Sequence, residues 1–150
     1  MRALLQRARR GEVRVAGAVV GSIGEGLVVL LGVGPNDTEA TADDLARRSA
    51  ELRIFRDAEG RTNHSLLSTG GSVLVVSQFT LSADTRRGRR PGVTGAARPE
   101  LAERLWRRFA GALESLGVTV ETGAFGAEME VELVNDGPFT IWLDTDRAEP

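Results

Sequence analysis

The chain has 150 residues, 41% of them hydrophobic, and a formal net charge of −2, enough for one compact domain that buries about two-thirds of its unfolded surface. It has no Cys, a single His (His64) and 19 basic residues that are all Arg, which excludes thiolate catalysis, disulfides, a multi-histidine metal site, Schiff-base chemistry and the lysine of a P-loop. The near-neutral charge argues against a general nucleic-acid coat. The apolar run from Leu27 to Val33 is too short for a membrane span, and the start MRALLQRARR lacks the apolar segment of a signal peptide, so a cytoplasmic protein is expected.

In chain order, β-rich stretches are predicted at residues 3–6, 12–16, 18–23 and 27–33, separated by turns at Gly11, Gly17 and Gly24 to Gly26. Thr38 is placed to cap a helix running to about Glu51, with Ala42, Leu45, Ser49 and Leu52 facing inward. LRIF (52–55) reads as strand, 56–72 as turn and loop, and 72–81 as a β-branched strand. Pro99 opens a second helix whose Leu101, Leu105, Phe109, Leu113 and Leu116 share a face, and Gly117 closes it.

Residues 118–122 follow as a strand. In 127–134, Met129, Val131 and Leu133 alternate with Glu128, Glu130 and Glu132, which predicts one wet face. Residues 139–144 are expected to return as its hairpin partner across Asn135-Asp136-Gly137-Pro138, with 145–150 as a frayed tail. About nine strands and two helices that do not alternate regularly predict an α+β fold. It is a single domain over 1–150 with a mainly antiparallel, barrel-like sheet and two main helices.

Four places carry candidate chemistry. The stretch VSQFTL (76–81) ends an apolar strand with Ser77, Gln78 and Thr80, either satisfying local backbone groups or placing side chains and N–H groups where an oxyanion is held. Thr80 is a nucleophile only if a base activates it, and His64 in a polar loop is a poor candidate. The aligned glutamates read as a solvated face. Arg86, Arg87, Arg89 and Arg90 form either a solvated surface or a set of planar forks for phosphate. Asp136-Gly137 suits a turn, but Pro138 removes a donor where a strand should begin, which leaves a purely structural bend or a functional one.

Three features coincide: SQFTL (77–81), ADTRRGRRP (83–91) and FGAEMEVELVNDGPFT (125–140). With the opening MRALLQRARRGEVRV and the segment ELRIFRDAEGRTNHSLL, nearly the whole chain resembles the D-aminoacyl-tRNA deacylase family. The resemblance implies a cofactor-free, metal-free homodimer that hydrolyses the ester between a D-amino acid, or glycine, and the terminal adenosine of tRNA, as translational proofreading. It implies that Ser77, Gln78, Phe79 and Thr80 line the aminoacyl and adenosine pocket. Gly137 and Pro138 would form a Gly-cis-Pro motif inserted into the partner's pocket, where its carbonyls exclude an L side chain. Arg7 would support that motif, with Met129 packed behind it and Asn135 beside it, and the four arginines of 86–90 would contact tRNA. The rival expectations are a non-catalytic RNA-binding module using those arginines and a small structural domain.

Overall fold

A computed structural model describes residues 1–147. Eight strands are found among them: β1 (Arg2–Val15), β2 (Ala18–Ile23), β3 (Gly26–Gly32), β4 (Phe55–Arg56), β5 (Thr62–His64), β6 (Ser72–Ser77), β7 (Thr119–Thr122) and β8 (Glu130–Asp144). The helices are α1 (Glu39–Glu51), α2 (Leu66–Thr69) and α3 (Pro99–Ser115), with a 3₁₀ turn at Phe79–Ser82. No helix among the described residues is long and apolar enough to cross a membrane.

The sheet runs β2-β1-β3-β6-β7, with β8 on the other side of β1. It is mixed rather than mainly antiparallel, because β3 and β6 pair in parallel, as do β6 and β7. Parallel strands covered on both faces read as unbroken apolar runs rather than alternations. That is the composition of GLVVLLG and SVLVVS, which are buried along nearly their whole length. The sheet is nearly closed: a Cβ on Gly21 of β2 would run into the Thr122 carbonyl of β7.

One face of the sheet packs on α1 and α3 through Leu5, Val29, Val75, Leu45, Leu105 and Phe109. The other encloses a smaller cluster of Ala8, Val13, Ile23, Val28, Leu74 and Val76. Thr38 caps α1 by accepting from the Thr41 amide, 3.2 Å, and the buried Ser49 hydroxyl donates to the Leu45 carbonyl, 2.7 Å, so a polar residue on the inner face is satisfied within its own helix.

Four expectations are corrected. Gly11 is no turn but lies mid-strand in β1, paired to Ile23 and Leu133, because the Val28 side chain occupies the space a Cβ would need. LRIF contributes only Phe55 to a two-strand ribbon, and the loop after it contains β5 and α2. Residues 130–132 are exposed on both faces instead of one. The tail does not fray at once: the Thr145 amide donates to the Met1 carbonyl, 3.0 Å, while residues 148–150 lie outside the described residues.

The largest correction concerns the hairpin. Residues 130–135 and 140–144 both pair with β1, so β8 is one strand interrupted by a bulge. Gln6 pairs with Thr140 and Ala8 with Asn135, which leaves Arg7 alone opposite the four residues Asp136 to Phe139. A turn-forming cluster is therefore spent on leaving and rejoining the same partner strand.

Candidate active site

β6 leaves the sheet after Ser77, where Gln78 adopts φ −145° and ψ 80° and starts the 3₁₀ turn. The Gln78 amide still donates to the Leu31 carbonyl, 2.8 Å, while the Leu81 and Ala83 amides donate back to Gln78 and Thr80 at 3.2 and 3.0 Å. Because bonds in such a turn reach back three residues, the N–H groups of Phe79 and Thr80 have no acceptor within it. The Gln78 side-chain amide donates to the Thr80 hydroxyl oxygen, so the neighbour of that hydroxyl is a donor and not a base.

Ser77, Gln78 and Phe79 border a pocket of about 390 Å³ whose other walls include Val93, Trp106 and Phe125. The Trp106 and Phe125 rings lie 5.7 Å apart, tilted by 45°, and the Trp106 indole N–H is buried without an acceptor among the described residues. Phe79 is 59% exposed. Thr80 lies exposed beside the pocket and outside its lining. Trp106 was not singled out from sequence, because it falls one residue off the Leu101-Leu105-Phe109 line; widening that apolar stripe by one position would have found it.

The arginine run is a closed loop: Asp84 and Gly92 exchange backbone hydrogen bonds of 2.7 and 2.9 Å. Arg86 forks onto Asp84 with two contacts of 2.8 Å and holds that carboxyl well below its ordinary range. Arg87, Arg89 and Arg90 are exposed and form no ion pair among the described residues.

At the bulge, the Gly137–Pro138 peptide is cis and both residues are exposed. Arg7, only 2% exposed, reaches beneath it. Its Nε donates to the Asp136 carbonyl at 3.1 Å and lies 3.0 Å from the Asp136 carboxylate. Its Nη1 donates to the Ile54 carbonyl, and its guanidinium lies 4.2 Å from the Phe139 ring centroid. From the other strand, Asn135 Nδ2 donates to the Arg7 and Phe139 carbonyls at 2.9 and 3.1 Å. Both ends of the four-residue excursion are thus tied to one side chain from each strand.

Within one chain, the structure brings Arg7 and Asn135 to the Gly-Pro segment and Ser77 to Phe79 to the pocket, but not these two groups to each other: the pocket lining contains neither Gly137 nor Pro138. Met129 is not behind the bulge in its own chain. It packs with Leu133 against the smaller core, next to Glu130, which pairs with Arg14, seven residues along β1 from Arg7. His64 is exposed in β5. Glu132 is held by Arg10 at 2.6 Å and Arg14 at 3.4 Å, and Arg10 first among them keeps its carboxyl below the usual value, so it is a paired surface group.

Fold and site together define a small α+β protein whose mixed, barrel-like sheet carries an apolar pocket beneath a 3₁₀ turn. Residues 4–144 match the family described as D-Tyr-tRNA(Tyr) deacylase. A D-aminoacyl-tRNA deacylase of Dinoroseobacter shibae is 60% identical over 144 residues, spanning 96% of this chain and 99% of that one. Another from Symbiobacterium thermophilum is 58% identical over 148 residues, spanning 99% and 98%. Among solved structures, the c-Myc DNA Unwinding Element Binding Protein superposes with a TM-score of 0.90 at 35% identity, covering 97% of this chain and 99% of that one. A probable eukaryotic D-amino acid tRNA deacylase shares the fold, with a TM-score of 0.83 at 19% identity and coverage of 95% and 97%. The chain belongs to the D-Tyr-tRNA(Tyr) deacylase family.

Proposed function

We propose that this deacylase hydrolyses the ester linking a D-amino acid, or glycine, to the terminal adenosine of tRNA, rejects L-aminoacyl esters, and so proofreads charged tRNA in the cytoplasm. The observation that carries the reading is the conjunction of a pocket opening at Ser77, Gln78 and Phe79 with a turn whose first two N–H groups are left over for an oxyanion. The deacylase names of relatives that span nearly the whole chain support it. Water adds to the ester carbonyl, the bond to the ribose oxygen breaks, and the leaving oxygen takes the proton. With Gln78 donating to Thr80, the hydroxyl lacks a base, and the ribose 2′-hydroxyl of the substrate is the better activator of water.

The chain acts as a homodimer. The outer edge of β8 has no strand partner among the described residues, and Val131, Val134 and Trp142 are 38%, 38% and 41% exposed, a combination that calls for a covering surface. A second copy there supplies Gly137 and Pro138 to a neighbour's pocket, where their carbonyls crowd the position of an L side chain and leave glycine and D residues room. Arg87, Arg89 and Arg90 remain for tRNA phosphates.

Those arginines, unpaired among the described residues, and the similarity to the c-Myc DNA Unwinding Element Binding Protein also favour a second reading, binding of nucleic acid without chemistry. Incubating the protein with D-, L- and glycyl-tRNA and following amino-acid release separates the two. Release from D and glycyl but not L substrates is expected. Equal binding of all three with no release leaves only the binding module.

A further inference from the structure

Arg7 is buried, yet its Nη2 has no hydrogen-bond partner among the described residues. A guanidinium presents five N–H donors, and one left orphaned in the interior is costly unless something else meets it. Arg7 also borders a recess of about 420 Å³ beside the bulge, together with Arg9, Arg56, Asp136, Glu25 and the turn through Gly70. The two outer arginines both lean toward the Asp136 carboxylate, Arg9 at 3.7 Å and Arg56 at 3.9 Å. These distances are long enough to leave most of each fork unused, and Arg7 already claims the other carboxylate oxygen. Three guanidiniums therefore face two carboxylates, one of which, Glu25, is exposed and unpaired among the described residues.

We propose that this recess binds a backbone phosphate of the tRNA acceptor strand, with Arg9 and Arg56 as its forks and Arg7 as the fixed charge at its base. A phosphodiester is the ligand whose planar oxygen pair matches such forks. Asp136 borders the recess and immediately precedes Gly137, so an RNA strand whose 3′ ester meets the Gly-Pro tip brings its nearest phosphates past this position. The assignment rests on the deacylase reading and adds what grips the substrate outside the pocket.

The test compares two D-aminoacyl esters, one on tRNA and one on adenosine, which has no backbone phosphate. The enzymes are wild type, Arg9→Gln, Arg56→Gln and the double variant. Arg9 and Arg56 side chains are 63% and 52% exposed, so their removal spares the core, and thermal melting confirms it. We expect KM for the tRNA ester to rise about tenfold in the double variant. The slope of log KM against log salt should fall by about 0.7, the value for one single-strand phosphate. The adenosine ester should show neither change, and Glu25→Gln should lower KM for tRNA.

Equal rises for both esters, or no rise for either, overturn the assignment. Competition by inorganic phosphate that the double variant abolishes, with KM for tRNA unmoved, gives the recess to free phosphate and also overturns it. If wild type releases amino acid from neither ester, the deacylase reading falls. The recess is then judged by filter binding of uncharged tRNA, where equal affinity of wild type and double variant refutes it and the same tenfold loss sustains it.

Discussion

Replacing Arg7 by Lys keeps the charge beneath the Gly-Pro bulge and removes the fork. The guanidinium makes a charge-assisted bond to the Asp136 carbonyl, an ion pair with its carboxylate, a bond to the Ile54 carbonyl and a face contact with Phe139. A lysine ammonium reaches one of these groups at a time. The unmet Ile54 carbonyl costs roughly 1–3 kcal/mol, and the lost face contact about 0.5–2 kcal/mol. A net loss of about 3 kcal/mol follows from these ranges and from the cost of disturbing a buried ion pair. For a chain of this length that is a fall in Tm of roughly 6–12 °C. Because β1 and β8 pair on both sides of the bulge, the damage should also appear locally, as faster amide exchange from Asp136 to Phe139. Calorimetry and hydrogen exchange read the two effects, and deacylation of paired D and L esters reads the third, a reduced D-over-L ratio. An Arg7→Lys protein that melts within a degree of wild type, with bulge amides equally protected, would refute the view that the fork braces the bulge.

Three further outcomes are expected. Thr80→Ala should keep most of its activity while a 2′-deoxy terminal adenosine substrate is nearly inert; a dead Thr80→Ala rescued by Ser would instead make Thr80 the nucleophile. Val131→Asp together with Trp142→Glu should convert a dimer to monomer in sedimentation and let L as well as D esters be hydrolysed, since neither substitution touches the pocket of its own chain while the excluding Gly-Pro segment is lost with the partner. The Asp84 carboxyl, depressed chiefly by the Arg86 side-chain hydrogen bond, should titrate well below 3.8 by carbon NMR and move back in Arg86→Ala. A depressed carboxyl contributes its stabilisation above the unfolded value and loses it as pH falls through the folded one, so the arginine loop should keep its shape at neutral pH and loosen only in strong acid.

Local chemistry made the helices legible. Thr38 and Pro99 announce their starts, and the spacing from Leu101 to Leu113 places a buried face where the structure has one. What local pattern misses is non-local pairing. Gly11 and Asp136-Gly137 carry turn signals, but a glycine required by Val28 across the sheet has the same composition as one required by a bend. Likewise Val73 to Val76 cannot declare whether the strand beside them runs parallel. The site divides in the same way. Ser77, Gln78 and Phe79 were legible as a strand end, and their pocket follows from it. The partners of Arg7, Ile54 and Phe139, are separated from it by 47 and 132 positions, and only the folded chain brings them together. The recess with Arg9 and Arg56 had no sequence signal, because the two lie far apart in the chain and each by itself looks like ordinary surface.

The pairing of β1 with β8 joins Arg2 to Asp144, so β1 leaves a ribosome well before the strand that covers its second edge. Until then β1 offers one edge to β3 and β2 and has nothing along the other, and Arg7 has neither Asp136 nor Phe139 to hold. The bulge is therefore assembled only once β8 has been made, across a separation of 129 residues between Arg7 and Asp136, which favours slow, late completion. A nascent chain that has reached only Val134 has the sequence of every helix and of the pocket walls and still lacks the Gly-Pro segment altogether. Loss of β8 would thus leave β1 with an open edge, Arg7 without Asp136, and no Gly-Pro segment to offer a partner.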